Sequence, residues 1–258
     1  MNELGSVDRL ANAPPYRQIA DQLRRAIQRG DLEPGGRVPS EAELIDHYRV
    51  ARMTVRQAVS ELKAEGLVIA EHGRGVFVRS RPTVRRLASD RFARRHREAG
   101  KGAFLAESES LGTPGVDQLE VSQVVPGARV IEQLKLRRSA KVVRRDRRYL
   151  IDDIPVELAT TYVPLAIARG TPIASPDTGP GGVYARIEET GHRLGSFTEE
   201  VGARMPTPEE RRRLSLPEGT PVITVTRVAY DVDSEPVEMT DTVKSAPSYV
   251  LEYSFPAT

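Results

Sequence analysis

Apolar residues recur at helical spacing through the first 65 positions and at strand spacing after that. Tyr16, Ile19, Ala20, Leu23 and Ile27 share one face of a helix that follows Pro14-Pro15 and stops at Gly30. After the loop "DLEPGGRVPS", Ser40 and Glu43 make a capping box for a short second helix that turns Leu44, Ile45 and Tyr48 inward. A third helix is predicted from about Arg52 to Glu65, with Val55, Ala58, Val59 and Leu62 inward and Gly66 as its stop. "LVIAE" and "VFVRS" then read as two strands around "HGRG".

Three helices and a β-hairpin in that order are the winged helix-turn-helix plan. Beyond them the pattern changes to period two. "LEVSQVV", "VVRRDRRYLI", "IPVELATTYV", "FTEEVGARM", "PVITVTRVAYDV", "EPVEMTDTV" and "YVLEYSF" read as strands. Helical pieces lie between them. One is in "GPGGVYARIEETGH"; another starts at Thr207 as N-cap, with Pro208 and Glu210 completing its first turn. The region also repeats. Leu134 and Leu136 match Leu214 and Leu216, Tyr149 matches Tyr230, Pro155-Val156-Glu157 matches Pro236-Val237-Glu238, and Thr161 matches Thr242. Two such copies predict one antiparallel sheet with pseudo-twofold symmetry and a ligand cleft where the halves meet. The fold class is therefore α+β, a winged helix-turn-helix followed by an α/β domain. The expected divisions are a mobile arm over 1–13, a DNA-binding domain over 14–80, a linker over 81–91 and a second domain over 92–258.

Composition narrows the chemistry. The chain has 258 residues and no cysteine, which removes disulfides, thiolate chemistry and cysteine-held zinc. Its four histidines, His47, His72, His96 and His192, show no HxxxH spacing, so no metal site and no cofactor are expected. "MNELGSVDRLANAPP" has no apolar signal core and no run approaches a membrane span, so the expectation is a soluble, cytoplasmic protein. Net charge is +2 but uneven: residues 1–100 hold 19 Lys and Arg against 13 Asp and Glu, the remainder 19 against 23. A basic front meeting a polyanion fits that split. Much of the excess sits in 81–100, however, where a solvated linker explains it equally well.

The third helix carries the recognition chemistry. A helix fits the major groove, and arginine bonds guanine O6 and N7 together. Arg52 and Arg56 lie one turn apart on the outer face, with Thr54 and Gln57 beside them. The helix starting at Ser40 presents backbone N–H groups to a phosphate. His72, Gly73, Arg74 and Gly75 at the wing tip allow close backbone approach and place a basic side chain near a minor groove. The blander reading of Arg52 and Arg56 is a solvated face paired with Glu61 or Glu65. With Arg37, the candidate DNA contacts are Arg37, Ser40, Arg52, Thr54, Arg56, Gln57, His72, Gly73 and Arg74.

Residues 15–78 resemble the winged-helix domain of the GntR family of bacterial transcription regulators. The resemblance rests on "YRQIADQLRRAIQRGDLEPGGRVPSEAEL", "RMTVRQAVSELKAEGLV" and "GRGVFV". It implies DNA contacts from Arg52, Thr54, Arg56, His72, Gly73 and Arg74. Residues from about 92 to 258 resemble the UTRA domain of the HutC subfamily, a chorismate-lyase-like fold. The carrying motifs are "DDIPVELATTYVP", "PDTGPGG" and the closing "YVLEY". That resemblance implies a homodimer and a small-molecule effector, anionic in several members. The implied pocket positions fall on Arg147 and Tyr149, so one arginine of a pair is absent. Ala159 stands at a glutamate position and Lys244 at a tyrosine position, while Glu238 is retained. Thr178 and Gly179 precede a helix N-terminus suited to an anion. The candidate effector residues are Arg147, Tyr149, Thr178, Gly179, Glu238 and Lys244. The alternative for the charged ones is a surface ion-pair set.

The leading functional reading is a transcriptional regulator, a repressor reading an inverted-repeat operator in double-stranded DNA as a homodimer, controlled by an effector. One alternative is an effector-independent plasmid-type repressor whose second domain only dimerises. The other is a lyase-like enzyme, for which the sequence holds no nucleophile–base pair.

Overall fold

The computed structural model describes residues 4–71, 73–79, 84–87 and 112–254, and singly Arg95, Ala99, Phe104 and Ser108. His72 and residues 81–83 and 88–91 of the expected linker lie outside the described residues. The chain forms two compact units, Met1–Arg81 with Pro217–Thr220 and Pro82–Leu216 with Pro221–Thr258.

In the first unit, α1 (Pro15–Arg29), α2 (Glu41–Tyr48) and α3 (Arg52–Ala64) are followed by the antiparallel pair β1 (Val68–Glu71) and β2 (Gly75–Val78). Local chemistry fixes the ends. Pro15 occupies the first turn of α1, where its missing N–H costs nothing, and Gly30 closes the helix at φ 85°. The capping box is formed: Ser40 Oγ accepts from Glu43 N at 3.3 Å, and Ser40 N donates to Glu43 Oε2 at 2.7 Å. Ile19 and Leu23 of α1 meet Leu44 of α2 and Val55 and Leu62 of α3, all fully buried. Arg24 clamps α1 to the end of α3 by a two-pronged bond to Glu65, at 2.8 and 2.5 Å.

The leading segment, expected to be a mobile arm, is laid against this bundle from residue 4 onward. Leu4 and Val7 pack on the core, and Gln18 Nε2 donates to the carbonyls of Asp8 and Ala13 at 2.8 Å each. Two isolated apolar residues on a turn leave no periodic signal, which is why sequence pattern misses them.

The second unit is a six-stranded antiparallel sheet. Its strands are β4 (Pro114–Val124), β5 (Val142–Ile151), β6 (Ile154–Pro164), β7 (Leu194–Arg204), β8 (Val222–Asp231) and β9 (Pro236–Ser245). Their order in the sheet is β4-β5-β6-β9-β8-β7. Helices α4 (Ala128–Gln133), α5 (Leu165–Ala168), α6 (Gly182–Glu189) and α7 (Pro208–Arg213) connect them. A separate parallel pair joins β3 (Val84–Leu87) to β10 (Tyr249–Glu252). The stretch expected as linker therefore contributes a strand. Its "VRRL" sequence carries too much charge to read as one, but Val84 and Arg86 are both buried.

The repeat is real and longer than the sequence match. One copy is β4-α4-β5-β6 and the other β7-α7-β8-β9, joined edge to edge at β6 and β9. Ala159 pairs with Thr242 and Thr161 with Thr240, so a pseudo-twofold axis passes between those two rungs. Outward from them, Arg147 pairs with Ala159 and Arg227 with Thr240. Arg147 and Arg227 are thus equivalent, as are Glu157 and Glu238. The match of Tyr149 to Tyr230 is off by one: Tyr149 faces Glu157, and Ala229 faces Glu238. The second hairpin carries one more residue, because Leu150 pairs with Pro155 but Tyr230 with Pro236. Alternate β5 side chains go to opposite faces. Val143 joins the cluster of Ile173, Tyr184 and Ile187, while Val142 joins Val130 and Met239.

Candidate nucleic-acid interface and ligand cavity

On α3, burial of Val55, Ala58, Val59 and Leu62 turns Arg52, Met53, Arg56 and Gln57 outward, with Thr54 half-buried at the edge. The arginines do not pair with Glu61 or Glu65. Arg52 Nε donates to Glu41 Oε2 at 2.9 Å, and Arg56 Nε lies 3.8 Å from Glu41 Oε1. One carboxylate at the start of α2 thus stands beside both arginines. Ala51 offers no side-chain cap, so the first N–H groups of α3 have no side-chain partner.

The wing places Gly73 at φ 73° and Gly75 at φ 125°. The backbone angle selects glycine at Gly75, since side chains rarely adopt that region; the Arg37 guanidinium packs close by. Arg37 bridges to Phe77 and is exposed beside the hairpin. Arg74 pairs with Glu71 and lies over the Phe77 ring at 5.5 Å. Of the nine expected contacts, eight lie within the described residues and His72 does not.

The second unit holds a cavity of about 540 Å³ over the middle of the sheet, covered by the segment 176–184. Arg147, Tyr149, Thr178, Gly179 and Glu238 line it. Lys244 does not. It is fully buried behind the wall and bonded to Glu157, which does line the cavity.

Arg145 is a lining residue that sequence reasoning passed over. It lies two positions before Arg147 on the same strand face, so two arginines line the cavity where sequence reading placed one of a pair. Alternation counted back from Tyr149 would have found it. Arg145 donates to the carbonyls of Ile173, Ser175 and Pro176, which pins the covering loop to the sheet. Burial, helped by the Arg147 charge, pushes its pKa down to about 10.

A chain of hydrogen bonds crosses the pseudo-twofold axis. Arg147 Nε donates to Tyr149 Oη at 2.6 Å, and its Nη2 donates to Thr161 Oγ1 at 2.8 Å. Thr161 and Thr240 share a bond of 2.6 Å, and Thr240 donates to Glu238. Tyr184 Oη donates to the other Glu238 oxygen at 3.1 Å, and Arg227 Nη2 lies 3.4 Å from Glu238 Oε1. Charge is unevenly matched along this chain. Glu238 has Arg227 and Glu157 has Lys244, but among the described residues neither Arg145 nor Arg147 has a carboxylate within 4 Å. Beside them α6 begins at Gly182, after Gly181, with no side-chain cap and no acidic residue in its first turn. Asp177 also lines the cavity and acts on Arg145 through space, so two guanidinium groups and the uncapped N–H groups of α6 face one carboxylate here, which leaves this end net cationic.

On the opposite face, a second hollow of about 460 Å³ carries Arg129, Arg144, Asp146, Arg204, Glu210 and Asp241. These charges pair among themselves, Arg129 with Asp241, Arg144 with Asp146 and Arg204 with Glu210. Among the described residues no three His, Asp or Glu are grouped to hold a metal ion, and no helix is long and apolar enough to cross a membrane.

Comparison with known proteins gives a family match to each of the two regions. Residues 15–78 match the model of bacterial regulatory proteins of the gntR family, and residues 110–249 match the UTRA domain. An HTH-type transcriptional regulator of Streptomyces coelicolor is 30% identical over 94% of this chain and 93% of its own length. The HTH-type transcriptional repressor NagR of Bacillus subtilis is 27% identical over 87% of this chain and 88% of its own. A solved structure described as that of a GntR-family transcriptional regulator covers 95% of this chain and 98% of its own, with 28% identity and a TM-score of 0.65. This chain belongs to the gntR family of bacterial regulatory proteins, as a DNA-binding transcriptional regulator with a UTRA domain for a small-molecule effector.

Proposed function

We propose that the regulator is a repressor, that it acts in the cytoplasm as a homodimer on an inverted-repeat operator, and that its effector carries a phosphate or carboxylate group. Each α3 would read one half-site through Arg52 and Arg56, with Thr54 and Gln57 beside them. Arg37, Ser40, the wing glycines and Arg74 would fix the domain on the phosphates. The repressor reading is supported by the relative NagR, which carries that name.

The observation that carries the effector class is the imbalance at Arg145 and Arg147. An arginine without a carboxylate, in a cavity of ligand size, is matched by an anion from outside. Glu238 and Tyr184 at the other end offer polar partners for the rest of the molecule. The same cavity disfavours a second domain that only dimerises. Binding rather than turnover is the role assigned to it.

The test is calorimetric titration of the purified protein with inorganic phosphate, beside an Arg147→Gln variant. Binding by the parent that weakens roughly tenfold or more in the variant supports the reading. No binding, or equal binding by both, contradicts it.

A further inference from the structure

The two halves of the cavity start from the same plan and end differently: one closes on an ion pair and the other keeps a surplus cation. Arg147 and Arg227 are equivalent across the pseudo-twofold axis, and so are Glu157 and Glu238. In the second half the plan closes on itself: Arg227 faces Glu238 at 3.4 Å, and Thr240 and Tyr184 complete that carboxylate. In the first half it does not. Glu157 is bonded by Lys244 and accepts a hydrogen bond from Tyr249 Oη at 2.9 Å. Lys244 Nζ also stands 4.3 Å from the centre of the Tyr249 ring, a further stabilisation of its charge.

Symmetry does not call for a lysine at this place. By the spacing that relates Thr161 to Thr242, the counterpart of Lys244 is Val163. Lys244 is fully buried and outside the cavity lining, and it reaches the cavity through Glu157. Glu157, 1% exposed, needs a cation to remain charged. One rung along the same sheet face stands Arg147, which would close on Glu157 as Arg227 closes on Glu238.

We propose that Lys244 is a positioning residue: by holding Glu157, with Tyr249, it keeps Arg147 from an internal ion pair and so makes one half of the cavity an anion site. It thereby sets which end of the cavity takes the charged group of the effector. This rests on the anionic-effector reading of the same cavity.

The experiment is calorimetric titration with inorganic phosphate of the full chain, the Lys244→Met variant and the double variant Lys244→Met/Glu157→Gln. Folding of each is checked by circular dichroism and melting. Arg147→Gln serves as the control that phosphate reads the cavity. Lys244→Met is expected to weaken phosphate binding roughly tenfold or more, because Glu157 turns to Arg147. The double variant is expected to return to within about threefold of the parent, because the competing carboxylate is gone. A lysine that only holds the fold together would give no such rescue. Equal weakness of the folded single and double variants therefore overturns the proposal, as does undiminished binding by Lys244→Met. If Lys244→Met does not fold, the double variant decides. Affinity near the parent supports the proposal, and a folded but roughly tenfold weaker double variant overturns it. Failure of the parent to bind phosphate, or indifference to Arg147→Gln, removes the anionic reading itself and is distinct from these outcomes.

Discussion

Arg147 and Arg227 occupy equivalent rungs of the two sheet halves, yet among the described residues only Arg227 has a carboxylate, Glu238 at 3.4 Å, as its partner. Equivalent positions should therefore answer the same substitution in different ways. Arg147→Gln removes two hydrogen bonds but no ion pair, so it is expected to cost about 1–2 kcal/mol of stability and to lower anion affinity. Arg227→Gln strands a buried carboxylate and is expected to cost about 3–5 kcal/mol of stability. Denaturant unfolding of both variants, read against phosphate titration, separates the two effects.

On the DNA side, base-reading and phosphate-holding residues should differ in kind. Arg52→Ala and Arg56→Ala are each expected to cost about 1–3 kcal/mol on a selected operator and to relax sequence preference. Arg37→Ala is expected to weaken all sequences alike and to reduce the slope of log K against log salt by about 1. Fluorescence anisotropy over a salt series checks both.

The α2 cap is a local device with a local cost. Ser40→Ala removes the acceptor for Glu43 N, and the reciprocal bond loses its partner geometry. A loss of about 1 kcal/mol is expected, visible as a lower denaturation midpoint for the helical unit.

Glu65 gives that unit an acid limit. Its hydrogen bonds to Arg24 hold its pKa below the usual carboxylate value, so its folded pKa lies below its unfolded one. The stabilisation is therefore complete above the ordinary carboxylate pKa of about 4.3 and is lost as pH falls through the depressed folded value. The pair is partly exposed, so about 0.5–1 kcal/mol is at stake. Glu65→Gln should lower stability at neutral pH by that amount and flatten the pH dependence below about pH 5.

Much of the first unit is legible from periodicity because each helix is short, amphipathic and punctuated by a cap or glycine. The pairing of Arg52 and Arg56 with Glu41 is not, since it spans a turn whose geometry no spacing rule encodes. In the sheet, "RRDRR" places arginines on both faces. The cavity arginine Arg145 hides among Arg144 and Arg148, which face the other way and pair with Asp146 and Asp117. β4 carries a bulge between Asp117 and Glu120, with Gln118 at φ 48°, which breaks the alternation that marks a strand. The depth of Lys244 is invisible for another reason. Its partner Glu157 lies 87 residues away, and a lone lysine in a strand reads as exposed.

An anion bound in the second unit is expected to govern DNA reading by the first. The most direct measurement selects bound duplexes from a random pool at near-physiological salt, then titrates the best duplex–protein complex with phosphorylated and carboxylated metabolites. The expected result is an inverted repeat whose affinity is shifted by at least one such anion in the parent and not in Arg147→Gln. Recovery of no sequence above background, or an operator complex shifted equally in the parent and Arg147→Gln, would contradict it.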